Sequence, residues 1–110
     1  MKKVQAIVRP EKVADVLAAL YENGFHAATR ISVLGRGKQS GLKVAQVHYD
    51  EIPKEMLVIV VNDDEVEKVT EVIIDNARTD LKGAFGDGKI FVSDVECAYT
   101  ISTGEKVERL

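Results

Sequence analysis

Two stretches of this chain concentrate glycine beside basic side chains: Gly35-Arg36-Gly37-Lys38-Gln39-Ser40-Gly41 and Gly83-Ala84-Phe85-Gly86-Asp87-Gly88-Lys89. Glycine lets a backbone approach a ligand closely and present its N–H groups. Arg36, Lys38 and Lys89 add positive charge, so both stretches suit an anion such as phosphate. Neither is a standard nucleotide motif. The first has the spacing GxGxxxG instead of GxGxxG and does not open a helix, which excludes a Rossmann fingerprint. The second matches GxxxxGK, but Ile90 stands where a magnesium-binding Ser or Thr belongs. Its loop also runs from a helix into a strand, the reverse of a P-loop. On spacing alone, each stretch is equally a plain turn, solvated in the first case and built on Asp87-Gly88 in the second. Two such loops at strand ends in one small chain favour a site.

Other chemistry has little to stand on. The histidines are His26 and His48, and neither sits in an evident constellation with Ser, Cys or Asp. Cys97 falls in an alternating stretch and reads as a core residue, so the chain is not expected to be an enzyme. One cysteine excludes an internal disulfide framework and a Cys-based zinc site. With 15 Lys+Arg against 18 Asp+Glu, the net charge is −3, the wrong sign for gripping a phosphate backbone. The longest apolar run, Met56 to Val61, is far below the ~20 residues of a membrane span. The N-terminal apolar run is cut short by Arg9, Pro10, Glu11 and Lys12, so it is no signal peptide. The chain reads as one cytoplasmic domain over 1–110, long enough to bury roughly 65% of its unfolded surface.

The elements that must position the loops follow from periodicity. Residues 2–9 read as a strand, and Pro10 fits a first helical turn. Val13, Val16, Leu17 and Leu20 form a helical stripe that Asn23-Gly24 stops. Thr29, Ile31 and Val33 alternate, giving a strand over 27–35. Residues 36–53 show neither period, and such long loops are usually functional or mobile. A strand follows over 54–62, then a capping box of Asn62 and Glu65, then a helix over 63–78 with Val66, Val69, Ile73 and Ala77 inward. The last strand starts near Lys89 and continues through Val95, Cys97, Tyr99 and Ile101 into a polar tail from Ser102. The order is βαββαβ, an α+β ferredoxin-like fold with an antiparallel sheet and two helices on one face. Strand 54–62 is apolar at both odd and even positions, as burial on both faces requires. Two helices cover only one face, so a second copy of the chain is the simplest cover for the other, with loop 36–53 as the alternative.

Together, GRGKQSG, a long loop ending in Pro53-Lys54, Thr79, Gly86-Asp87-Gly88-Lys89-Ile90-Phe91-Val92 and Ser102-Thr103-Gly104-Glu105 resemble the PII nitrogen-regulatory signal-transduction proteins over essentially the whole chain. The shorter arm, ending in YDEIPKEM, resembles the nitrogenase-associated branch of archaea and some anaerobes.

The resemblance implies a homotrimer with ATP or ADP in clefts between subunits and 2-oxoglutarate as effector, bridged to ATP by Mg2+. It makes 36–53 the T-loop, 79–89 the B-loop and 100–105 the C-loop. Gly35, Gly37, Lys38 and Gln39 would line the nucleotide, and Gly86, Asp87, Gly88 and Lys89 would hold its phosphates. Ile7 and Val60 would border the adenine, and Thr29 would reach it from the neighbouring subunit. Gln39 would meet the metal or effector, and Lys54 would pair with an effector carboxylate. The implied role is a non-catalytic sensor whose T-loop controls nitrogenase, in a hetero-oligomer with a second PII-type protein. An ammonium transporter or glutamine synthetase is the alternative target. Three departures stand out. Thr100 and Ser102 occupy the places of two phosphate-binding arginines. The stretch 80–85 is about three residues longer than the family's, with Lys82 as a substitute charge. Tyr49 lies too near Pro53 to match the uridylylated tyrosine of some bacterial relatives. The same βαββαβ order also occurs in RRM-type RNA-binding modules, but these need surface aromatics on the sheet, and here only Phe91 is available.

Overall fold

The structure is a computed structural model, described over residues 1–36 and 51–110. Strand β1 (Lys2–Val8) leads through a single 3-10 turn at Pro10–Lys12 into α1 (Val13–Glu22). Strands β2 (Thr29–Gly35) and β3 (Ile52–Val61) follow, then a 3-10 turn at Asp63–Glu65, α2 (Val66–Ala77) and β4 (Gly88–Asp94). The sheet order is β2-β3-β1-β4 with every neighbouring pair antiparallel, as the ferredoxin-like reading expects.

Local chemistry sets the element ends. Gly24 takes φ +89°, and Phe25 N–H and Gly24 N–H donate to the carbonyls of Leu20 and Tyr21. That is the double bond of a glycine-terminated helix. At the start of the second helical segment, Asn62 N–H donates to Glu65 Oε1 at 2.9 Å, as the sequence signature requires. The Asn62 side chain also exchanges two 2.9 Å bonds with the backbone of Leu110.

The helix face of the sheet is the core. Val4, Ala6 and Val8 of β1 and Leu57, Ile59 and Val61 of β3 are buried with Val13, Val16 and Leu20 of α1 and Val69, Val72, Ile73 and Ala77 of α2. One charge sits among them. Glu55 is 6% exposed, and its Oε1 accepts from Arg30 Nε at 2.9 Å, Arg30 Nη2 at 2.7 Å and Ser32 Oγ at 3.2 Å. Those bonds, Arg30 first, hold its carboxyl below the usual range.

The opposite face carries the alternate residues. The register places Ile7 beside Met56 and Lys89, Gln5 beside Val58 and Phe91, and Ile31 beside Met56. Ile31, Val60 and Phe91 are exposed there, and Met56 and Val58 are half-buried. The even positions of β3 are therefore apolar without being covered by either helix. Phe91 is the sole aromatic on the four strands, so the face has no stacking platform of the kind an RNA-binding sheet needs.

The structure corrects three sequence-based expectations. Strand β3 begins at Ile52, so Ile52 and Pro53 belong to it and not to the loop. The last strand does not continue to Ile101: β4 ends at Asp94, opposite Lys2, with one further bond from the Val95 N–H to the Met1 carbonyl before the chain leaves the sheet. The chain then forms a separate two-stranded hairpin from β5 (Ala98–Tyr99) and β6 (Lys106–Val107), the second strand lying in the polar tail beyond Ser102. Cys97, expected in the core, is exposed in the connection. No described helix is long and apolar enough to cross a membrane.

Candidate functional site

The second glycine-rich stretch folds over the end of α2 and the start of β4. Its organiser is Asp87. One carboxylate oxygen accepts from Thr79 N–H at 3.0 Å and Ala84 N–H at 2.8 Å. The other accepts from Thr79 Oγ1 at 2.5 Å and Arg9 Nε at 3.1 Å. Burial opposes ionisation of this group, but the bonds from the Thr79 side chain and backbone, Ala84 and Arg9 outweigh it and hold the carboxyl far below the ordinary aspartate range. Both oxygens are thus engaged inside the loop. Asp87 shapes the loop, and its negative charge is met by the Arg9 guanidinium and the donors of Thr79 and Ala84.

Arg9 is a residue that sequence reasoning missed. Besides Asp87, it donates from Nη2 to the Phe85 carbonyl at 2.8 Å, pinning both ends of the turn. In sequence it merely ends an apolar run, and its partners lie more than seventy positions away.

Gly88 explains its own residue type. It has φ +117°, and a Cβ there would stand 1.7 Å from the Ile7 carbonyl oxygen. Only glycine lets β4 begin flush against β1. That contact sets Lys89 directly opposite Ile7 on the open face. Under the loop lies a groove of about 790 Å³, lined by Ile73, Ile74 and Ala77 of α2, by Phe85, and by Ile7 and Lys89 among others. Lys82 lines it too, as a substitute charge would have to.

Lys54, on the first part of β3, points its ammonium to the Gly86 carbonyl. Its stem passes Gly35, where a Cβ would be 3.7 Å from Lys54 Cγ, an ordinary contact. Partial burial, followed by the nearby Arg9 guanidinium, lowers its pKa. Ile7, Gly35, Lys54, Gly86, Asp87, Gly88 and Lys89 therefore gather at one end of the sheet. Val60 does not join them. It pairs with Lys3, four residues along from Ile7, or about 13 Å. Thr29 lies beside Val58, two strands away from β1. Gly37, Lys38 and Gln39 lie outside the described residues. Thr100 and Ser102 stand in the turn of the β5–β6 hairpin, where Thr100 N–H donates to Glu105 and the Thr100 carbonyl accepts from Gly104 N–H. No cluster of metal-ligating side chains occurs among the described residues.

The sequence matches the description "Nitrogen regulatory protein P-II" over residues 1–105. The chain belongs to the P-II family. Among its relatives is a nitrogen fixation nifHD region GlnB-like protein 1 of Methanothermococcus thermolithotrophicus, 53% identical over 105 residues, covering 96% of this chain and 97% of the relative. The nifHD2 region GlnB-like protein 1 of Methanosarcina barkeri is 51% identical over 106 residues, covering 96% and 98%. Among solved structures, the crystal structure of Arabidopsis thaliana PII bound to citrate superposes with a TM-score of 0.79 at 37% identity, covering 97% of this chain and 85% of that one. This P-II protein is thus a nitrogen regulator by family, with archaeal nitrogen-fixation-region proteins among its relatives.

Proposed function

We propose that this P-II protein is a non-catalytic sensor that binds ATP or ADP, with Mg2+ and 2-oxoglutarate, and controls nitrogenase through residues 36–53. In this reading residues 1–110 are one P-II domain, 79–89 are its phosphate-binding B-loop and 100–105 its C-loop. The observation that carries it is the loop 79–87 itself. Arg9 and Thr79 consume the charge of Asp87, Gly88 locks the loop to β1, and Lys89 is left exposed beside Ile7. That arrangement presents backbone and one lysine to a phosphate chain, with an apolar residue next to it for a base. Lys54 supplies a second cation at the same end, suited to an oxoacid carboxylate. The citrate named with the Arabidopsis structure is a carboxylate ligand of the same kind.

The separation of Thr29 and Val60 from the loop supports a site completed by a neighbouring subunit. So does the uncovered apolar face bearing Ile31, Val60 and Phe91. A homotrimer in which Thr29 of one copy serves the site of the next fits both. Mg2+ would be held through Gln39 and the ligands. Nitrogenase as the target, and a second PII-type protein as hetero-oligomer partner, rest on the nifHD-region names of the relatives. The reading is tested by calorimetric titration of ATP and ADP into wild type and Lys89→Ala. Micromolar-range binding that the substitution weakens at least about tenfold supports it, since a charge-assisted phosphate contact is worth about 1.5–3 kcal/mol. Absence of adenine-nucleotide binding to wild type removes the mechanism.

A further inference from the structure

Loop 79–87 has an outer turn, 79–83, that is built as firmly as its root. Thr79 N–H and Oγ1 both donate to Asp87, and the Thr79 carbonyl accepts from Gly83 N–H at 2.9 Å. Ala84 N–H, one residue on, donates to Asp87 as well. The turn is thus pinned to one carboxylate at both ends. Gly83 is packed into it: at φ +77° a Cβ would stand 3.3 Å from Arg78 Cγ and 3.3 Å from Asp87 Oδ2. Arg78 Nη1 donates to the Leu81 carbonyl at 3.1 Å, and Asp80 takes φ 59°, an uncommon left-handed conformation for a residue with a side chain. At the centre of this ordered turn, Lys82 has no hydrogen-bond or ion-pair partner among the described residues. It lines the same groove of about 790 Å³ as Lys89, which is equally without one. The charged residues lining that groove are Arg78, Lys82, Lys89 and Asp87, and the one acid already receives four hydrogen bonds, including that from Arg9. Two unpaired ammonium groups in one groove suit an anion with charge at more than one place.

We propose, resting on the sensor reading, that Lys82 is a second phosphate-binding cation of this site and biases it toward the nucleotide with the longer phosphate chain. Lys89 stands at the root of β4, opposite Ile7, and Lys82 on the outer turn, with the Asp87 knot between them along the chain. A phosphate chain that starts at Lys89 meets Lys82 only at its far end. The added phosphate of ATP then gains a charge-assisted contact that ADP lacks. The turn is ordered before the ligand arrives, so the contact costs little beyond the rotamer freedom of Lys82 itself. The glycine-rich stretch therefore divides its work: Gly88 and Lys89 place the phosphates, and residues 79–83 count them.

Calorimetric titration of ATP and of ADP into the intact protein tests this, with wild type, Lys82→Ala, Lys82→Arg and Lys68→Ala compared at one ionic strength. Lys68 is an exposed cation of α2 outside the groove, so Lys68→Ala reads the effect of losing one surface charge. Lys82→Ala should weaken ATP about tenfold, the worth of one charge-assisted contact. It should weaken ADP less than about threefold, as a distant exposed charge does. Lys82→Arg, which keeps the charge and its donors, should return the ATP-to-ADP ratio to near the wild-type value. The assignment is overturned if Lys82→Ala leaves that ratio unchanged, or alters it no more than Lys68→Ala does. Failure of Lys82→Arg to restore the ratio overturns it too. In either case Lys82 is a solvated loop residue, and the sensor reading stands as long as Lys89→Ala weakens both nucleotides. If wild type binds neither nucleotide, the sensor reading falls and the role of Lys82 falls with it.

Discussion

Replacing Gly88 by alanine tests the claim that the loop is locked to β1 by backbone contact. The new Cβ would lie 1.7 Å from the Ile7 carbonyl oxygen, 2.8 Å from its carbon and 3.2 Å from Val8 Cα. The first distance is roughly 1.8 Å short of a van der Waals contact, and the obstacle is backbone, which cannot rotate away. Relief requires β4 to part from β1 at its first rung, Val8 opposite Gly88, disturbing Val8, which is 2% exposed. Strain at φ +117° adds about 1–3 kcal/mol, a lost ladder bond about 1 kcal/mol, and the disturbed packing about 1–3 kcal/mol. The total, about 3–7 kcal/mol, is a large share of the ~5–15 kcal/mol stability of a domain. Two other glycines calibrate it. Gly24 has φ +89° with nothing within 4 Å, so alanine there carries backbone strain alone, about 1–2 kcal/mol. Gly35 has a 3.7 Å contact and no positive φ, so alanine should be within about 1 kcal/mol of wild type. Scanning calorimetry at one protein concentration should rank the melting temperatures Gly35→Ala, Gly24→Ala, Gly88→Ala, with the last at least about 10 °C below wild type. A Gly88→Ala protein that melts with Gly24→Ala would refute the contact.

Two further outcomes follow from the same geometry. Asp87 has a depressed folded-state pKa, so its contribution is complete above the unfolded value of about 3.9 and is lost as pH falls below it. Asp87→Asn should therefore cost about 2–3 kcal/mol at pH 7 by denaturant titration, and the gap to wild type should narrow below about pH 4; a gap independent of pH would contradict the assigned bonds. Phe91→Ser, on the uncovered face, should lower the mass measured by light scattering at micromolar concentration, whereas an unchanged mass would show that this face is not the oligomer interface.

Most of the fold was legible because its periods are clean. The helical stripes of Val13, Val16 and Leu20 and of Val69, Ile73 and Ala77 are buried as read, and the odd and even residues of β3 divide between the two faces as their apolar character requires. What failed was decided far away in sequence. Alternation from Val95 to Ile101 is identical for a strand that stays in the sheet and one that leaves it. The choice is made by β1, which begins pairing at Lys2 and beyond Asp94 offers β4 only the Met1 carbonyl, taken by Val95 N–H. The same holds at the site. The glycines and Lys89 announced an anion loop through local composition. The parts played by Arg9, by Asp87 as the loop's organiser and by Lys54 on Gly86 depend on contacts across the sheet, which no local spacing encodes.

The central claim, that this P-II protein senses an oxoacid through a nucleotide site, meets its most direct test in one titration. 2-Oxoglutarate is added to wild-type protein by calorimetry, alone, with ATP, and with ATP and Mg2+. Binding should strengthen sharply only when ATP and Mg2+ are both present. Binding of equal strength in all three conditions would contradict it, as would no binding in any of them.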